Sequence, residues 1–299
     1  MQQRSDLDSI RVPEGCGLGV LLSQGAYARI HYTSDPSKRD SRWIQTGRVA
    51  MGAREWDREM EMREDVWDGL PVFPEYQDDR HAPQEGRAEK FKAHMDRTLY
   101  LAGWDAGQTL RPAFALAQLV FGDTRQEFQL QGLMEVVTEF PLPMETFAPL
   151  VNQAVYDHYP EIAQRIEHFG DDTIRQRSGS RGETAQMVAN EHGIWISPMP
   201  NQWEPRKSAV SWFLKKSVGE EQSPAMVLNG LMMPTLRKAF QGAYCLESKD
   251  DTVGMASVLK MPVKNGYSHV SDAWQYLCLA AKREIESGGE KTTELQFRF

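Results

Sequence analysis

Three aspartates in this sequence stand where an apolar run gives way to a turn or a helix. Asp105 closes a run in GWDAGQT, Asp171 closes another in HFGDDT with Asp172 beside it, and Asp272 lies in YSHVSDAWQYL. Carboxylates held on rigid elements are what two-cation hydrolysis of a phosphodiester needs. One ion activates water and the other stabilises the leaving oxygen, at a separation of about 3.5–4 Å. All-oxygen ligands favour magnesium or manganese over zinc. Each acid also has a plainer role open to it. An aspartate after a strand forms turns and caps, and an acid at the start of a helix is favoured by the macrodipole.

Basic residues accompany these acids. Arg175, Arg177, Arg181, Arg206, Lys207, Lys215 and Lys216 cluster in sequence, and the loop RQRSGSRGET directly follows the second acid. Such a loop contacts phosphates without reading bases; the alternative is a solvated loop and helix face. Lys260 and Lys264 are weaker candidates for the same work. His269, three residues before Asp272, is read as a cap of the last helix or as a group that orients a ligand or water. Glu135 and Glu139 are candidates for a fourth ligand.

The elements that must position these residues follow from periodicity. TLYLAGW (98–104), RPAFALAQLVF (111–121) and EFQLQGLMEVV (127–137) read as strands with short connections, the last two joined by the Gly122-Asp123 turn, hence an antiparallel meander. A helix at 144–158 carries Met144, Phe147, Val151 and Val155 on one face. A strand at 165–171, a helix at 183–192 stopped by Gly193, and a strand at 194–199 alternate as parallel βαβ units do. A helix at 205–217, a short strand at 243–247 and a helix at 270–285 with Val270, Trp274, Leu277 and Ala281 on one face complete the pattern. The expected class is α/β, a mixed sheet with an antiparallel meander followed by parallel strands and flanked by helices. If the strands of Asp105 and Asp171 are neighbours, both acids reach the same edge.

With 299 residues, 40% hydrophobic and 25% charged, the composition is that of a soluble globular chain. The net charge of −8 is split as 15 basic against 18 acidic residues in 1–100 and 19 against 24 in 101–299, so neither half is a basic nucleic-acid arm. It does not exclude DNA as a partner, because metal ions offset a carboxylate cluster. Cys16, Cys245 and Cys278 fit neither a disulfide framework nor a zinc cluster. No apolar run approaches the roughly 20 residues of a membrane span, and MQQRSDLDSIRVPEG lacks a signal-like core, so a cytoplasmic location is expected. Near the N-terminus, 19–33 reads as one or two strands and 42–67 as a charge-laced helix. The chain then breaks at GLPVFPEY, and polar 76–95 reads as a linker. The expected organisation is an N-terminal segment 1–75, a linker 76–96, a main domain 97–286 and a tail 287–299.

From about Leu99 to Leu279 the chain resembles the nuclease domain of the large terminase subunits of tailed bacteriophages. The resemblance rests on GWDAGQT, AFALAQLVF, FGDDT and, most specifically, SHVSDAWQYL. Upstream, IHYTSDPSKR and REWDREMEMREDVWDGLPVFPEY resemble the end of the terminase ATPase domain and its connecting helix. The resemblance implies a ribonuclease-H-like fold, with Asp105, Asp171 and Asp272 as catalytic acids that bind two magnesium or manganese ions. The family continues Gly-Asp-Pro-Ala where this chain has Gly170-Asp171-Asp172-Thr173, so Asp171 is favoured as the ligand and Asp172 held in reserve. It further implies cleavage of double-stranded DNA with little sequence specificity during genome packaging in the host cytoplasm. The implied partners are a packaging ATPase domain, the portal and the small terminase subunit. No G-x-x-x-x-G-K-[ST] loop occurs, so a complete packaging motor is not expected of this chain. Rival readings are a resolvase or integrase-type strand transferase, and a non-catalytic module that docks DNA or a motor.

Overall fold

The computed structural model describes residues 18–22, 26–30, 38, 40–51, 56, 60, 70–83, 91–106, 111–138, 140–176, 183–246 and 261–287. The chain divides into two compact units, Met1–Gly69 and Leu70–Phe299. In the first, β1 (Leu18–Leu22) and β2 (Ala26–Ile30) pair as an antiparallel hairpin. Helix α1 (Ser41–Met51) starts beside Asp40, whose carboxylate accepts the Arg42 amide at 2.9 Å. Trp56 packs edge-on against Trp43 with ring centroids 5.4 Å apart. Most of 52–69 lies outside the described residues, so the C-terminal part of the expected helix 42–67 is not described.

The second unit begins with β3 (Leu70–Pro71) and the single turn α2 (Asp78–His81), then β4 (Thr98–Asp105), β5 (Ala113–Phe121) and β6 (Phe128–Val137). It continues through α3 (Met144–His158), β7 (Ile166–Asp171), α4 (Ala185–Glu191), β8 (Ile196–Met199) and α5 (Trp203–Lys215). It closes with β9 (Ser217–Val218), β10 (Ser223–Pro224), β11 (Met226–Leu228), α6 (Pro234–Lys238), β12 (Cys245–Leu246) and α7 (Ser268–Glu286). Six strands form one sheet in the order β11-β6-β5-β4-β7-β8. The pairs β4–β5 and β5–β6 are antiparallel, whereas β4–β7, β7–β8 and β6–β11 are parallel. The expected meander followed by parallel strands is therefore present.

Both faces of this sheet are covered, which is why its central strands read as nearly continuous apolar runs. Alternation sorts them. Tyr100, Ala102, Trp104, Phe114 and Leu116 join a core with Phe147 and Val151 of α3 and Val188 of α4. Leu101, Ala113, Ala115 and Ala117 join the other core, with Phe213 of α5 and Val270, Trp274 and Leu277 of α7. On that second face the residues are small where α7 crosses. Gly103 pairs with Ala115 and Asp105 with Ala113. A Cβ on Gly103 would stand 1.9 Å from the Ala273 carbonyl oxygen, so the helix backbone rests directly on the strand.

Four expectations need correction. A sixth strand, β11, joins the sheet beside β6; its three residues are too few to show a period. The short strand expected at 243–247 pairs with β3, outside the main sheet. Helix α7 starts at Ser268, which puts Asp272 in its second turn. The described part of 76–96 is packed rather than linking. His81, Ala82 and Phe91 are buried, Asp78 pairs with Arg237, and the His81 ring is 3.2 Å from the Leu214 carbonyl oxygen. The Gln118 side chain accepts the His94 amide at 3.1 Å and donates to the Lys92 carbonyl at 2.8 Å. Among the described residues no helix is long and apolar enough to cross a membrane.

Two expected outcomes follow. Gly103→Ala should destabilise the fold by at least about 2 kcal/mol, since backbone rather than a side chain occupies the space; denaturant unfolding measures this. His168 Nδ1 accepts the Trp104 indole N–H at 3.0 Å, and burial lowers its pKa to about 4. Its folded value lies below the unfolded one, so this contribution to stability is complete above about pH 6.5 and is lost as pH falls toward 4. Between pH 7 and 4.5, wild type should lose about 2–3 kcal/mol more than His168→Gln, whose amide oxygen still accepts from Trp104.

Candidate functional site

Strands β4 and β7 run parallel with Trp104 opposite Gly170, so Asp105 and Asp171 emerge together at their carboxyl ends. That edge is where open α/β sheets bind ligands. Helix α7 lies over it and contributes His269 and Asp272, three residues apart and therefore on one side of the helix. His269 Nδ1 lies 2.8 Å from Asp105 Oδ2. Asp272 is held on both oxygens. Arg206 from α5 donates to Oδ1 at 3.1 Å, joined by Gln275 Nε2 at 3.3 Å, and Lys264 Nζ donates to Oδ2 at 2.6 Å. The Arg206 and Asp272 side chains are 8% and 7% exposed, whereas that of Lys264 is 69% exposed. Arg206 also lies on the Tyr276 ring, 4.5 Å from its centroid.

The electrostatics tie the acids to one place. Burial pushes the Asp105 carboxyl above the usual carboxylate range and the charge of Asp272 adds to this, against the His269 hydrogen bond and the Lys264 charge. The Tyr276 phenol is raised chiefly by burial and also by the charges of Asp171, Asp272 and Asp105, with Arg206 opposing. One tyrosine thus senses all three acids. Asp171 Oδ1 accepts the Thr173 amide at 3.0 Å and caps the short 3-10 turn Asp172–Arg175. Asp172 is exposed, and the adjacent Asp171 carboxylate raises its pKa.

Among the described residues, no group of three or more His, Cys, Asp or Glu side chains is gathered closely enough to hold a metal ion in this arrangement. The acids face Arg206, Lys264 and His269 instead. As a donor set, two carboxylates at one sheet edge and one on the helix over it, Asp105 being raised chiefly by burial, are the all-oxygen chemistry that a hard divalent cation such as magnesium or manganese takes.

The remaining candidates are dispersed. Glu135 is half-buried and accepts the Thr235 and Leu236 amides at 2.6 and 2.9 Å, in the first turn of α6. Arg175 is exposed at the end of the turn after Asp171. Lys207 lies 4.8 Å from the Trp203 ring centroid, Lys215 pairs with Glu75 at 2.9 Å, and Lys216 lies 5.2 Å from the Trp212 ring centroid. Arg177, Arg181, Glu139 and Lys260 lie outside the described residues. Arg206 is the exception to a solvated basic face, being turned inward onto Asp272. Its partnership spans 66 residues and leaves no local signal in the sequence.

No protein-family model and no curated protein matches the chain. Solved structures do. The large terminase of the thermophilic bacteriophage D6E is 12% identical, with a TM-score of 0.50 over 84% of this chain and 54% of that one, so the chain spans about half the length of that protein. The P22 large terminase nuclease domain is 14% identical with a TM-score of 0.47, over 72% of this chain and 96% of that one. The nuclease domain of the SPP1 large terminase, solved with bound Mn, is 16% identical with a TM-score of 0.43, over 70% and 97%. The likeness to the D6E large terminase is one of fold, and the second unit of this chain is an α/β mixed sheet, an antiparallel meander with parallel strands, flanked by helices.

Proposed function

We propose that this chain is a magnesium- or manganese-dependent endonuclease that cuts double-stranded DNA with little sequence preference during phage genome packaging. What supports the reading is that Asp105 and Asp171 end neighbouring parallel strands at one sheet edge, while α7 sets His269, three residues before Asp272, against Asp105. Such a cluster is under-neutralised, and a divalent cation relieves the repulsion. Asp105, Asp171 and Asp272 are the residues that would hold two ions, with Asp172 in reserve. Bound there, the ions supply Lewis acidity and a water of lowered pKa.

The chain's own residues do the rest. Arg206 fixes the orientation of Asp272, and His269 fixes that of Asp105. Arg175, Arg177, Arg181 and Lys207 bind phosphates on either side of the scissile bond. Phosphate contacts carry no sequence information, which accounts for the low specificity. The fold shared with the D6E large terminase supports the packaging setting, with a packaging ATPase, the portal and the small terminase subunit as partners in the host cytoplasm. In the same reading, residues 1–75 correspond to the end of an ATPase domain and its connecting helix.

Asp105→Asn should abolish nicking of plasmid DNA at saturating manganese while the Tm in EDTA stays within a few degrees of wild type; retained nicking would refute the assignment. Asp171→Asn keeps an oxygen for the Thr173 amide yet loses the charge, so it should be inactive, whereas Asp172→Ala should retain most activity. The reverse result would pass the ligand role to Asp172. Replacing Arg175, Arg177 and Arg181 together by Ala should lower the slope of log affinity against log salt by about 0.9 for each phosphate no longer neutralised, equally for unrelated sequences.

A further inference from the structure

The Asp272 carboxylate has one oxygen anchored inside the protein and one that meets an exposed group. Oδ1 accepts from two buried donors, Arg206 at 3.1 Å and Gln275 Nε2 at 3.3 Å. Oδ2 accepts from Lys264, most of whose side chain is exposed. The two donors on Oδ1 come from different elements. Arg206 ties the carboxylate to α5, whereas Gln275 stands three residues after Asp272 on α7 itself, the spacing at which side chains of one helix meet. The Gln275 amide has little freedom. Its residue is 0% exposed, and the amide has two hydrogens to give. Three acceptors lie within reach: the Ser271 carbonyl one turn back on α7 at 3.0 Å, Asp272 Oδ1, and the Tyr244 hydroxyl at 3.4 Å. The shortest of these bonds commits one hydrogen to the helix backbone and leaves the other for Asp272 and Tyr244. Tyr244 is itself fixed, since its carbonyl accepts the Val72 amide at 3.0 Å and its ring centroid lies 6.1 Å from that of Phe73. The donor that reaches Asp272 is therefore set by the backbone of the helix that carries the acid.

We propose that Gln275 is a positioning residue for Asp272: it holds Oδ1 against the helix, so that Oδ2 is the oxygen offered to a divalent cation. The inference rests on the metal-dependent reading above. It gives the two oxygens different work, Oδ1 serving the fold and Oδ2 the ion. Without the amide, Arg206 alone would hold Oδ1, and the carboxylate could turn about that single contact. Groups that touch a metal ligand rather than the metal typically change affinity or rate by about 10- to 100-fold.

The test is calorimetric titration of manganese into the full chain without DNA, with Gln275→Met, Tyr244→Phe and Asp105→Asn beside wild type and the Tm of each recorded in EDTA. Methionine is unbranched like glutamine but has no donor. Gln275→Met should bind manganese at least about tenfold more weakly and lose nicking rate at saturating DNA, with the DNA concentration for half-maximal rate unchanged. Gln275→Asn, which draws the amide back by one methylene, should show the same loss and serves if the methionine variant does not fold. Tyr244→Phe deletes a buried hydroxyl beside the same amide yet leaves an acceptor for each of its hydrogens, so it should bind manganese as wild type does. Unchanged manganese affinity in the Gln275 variants, whatever their Tm, would overturn the role. So would an equal loss in Tyr244→Phe, which would trace the effect to the buried polar cluster as a whole. Asp105→Asn separates this from failure of the metal reading. If it binds manganese as wild type does, the carboxylates are not the site and both inferences fall; if it loses binding while Gln275→Met keeps it, only the positioning role falls.

Discussion

The close approach of α7 to β4 is the constraint on which the site depends. Because Gly103 has no side chain, the backbone around Ala273 rests on the strand at a distance that no Cβ allows. Alanines at 113, 115 and 117 of the neighbouring strand extend the small-residue floor. Interiors are packed to crystal-like density, so a helix seated this tightly has little freedom to slide. That seating fixes His269 and Asp272 over the end of β4, and the distance from His269 to Asp105 follows from it.

The charges at this edge are balanced unequally. A buried ion pair costs desolvation that its attraction only partly offsets. Asp272 accepts that cost with a guanidinium on one oxygen and an ammonium on the other. Asp105 is paired with a histidine ring nitrogen, and burial, with the charge of Asp272, raises its carboxyl against that hydrogen bond. Structural demands are thus met at Asp272, while the unrelieved charge is left at the end of the central strand. Preorganised acids on a rigid sheet, rather than on loops, are what a precise cation site needs.

Much of this was legible in the sequence. Strands β4 to β8, helices α3, α5 and α7 and the shared edge of Asp105 and Asp171 follow from alternation and from residues such as Gly193, which adopts φ +74° at the end of α4. What escaped has one physical cause: long-range pairing leaves no local period. Strand β11 is only three residues, and β3 finds β12 across the whole domain. Residues 76–83 look like a linker because their anchors are polar, Asp78 to Arg237 being 159 positions apart. Asp105 and Asp171 were legible as the ends of periodic elements, whereas Asp272 lies inside one, in the second turn of α7. Arg206 as the partner of Asp272 was not legible, because only the topology brings α5 to α7.

The sheet is long at its centre and short at its margins. Strands β4, β5 and β6 have 8, 9 and 10 residues, whereas the edge strands β8 and β11 have 4 and 3. An open edge is a template on which another chain can add a strand, and short edges offer few unpaired amides for it. Pro198 removes one more donor from β8. The length that a rigid platform for carboxylates requires is therefore kept away from the borders where it would invite aggregation.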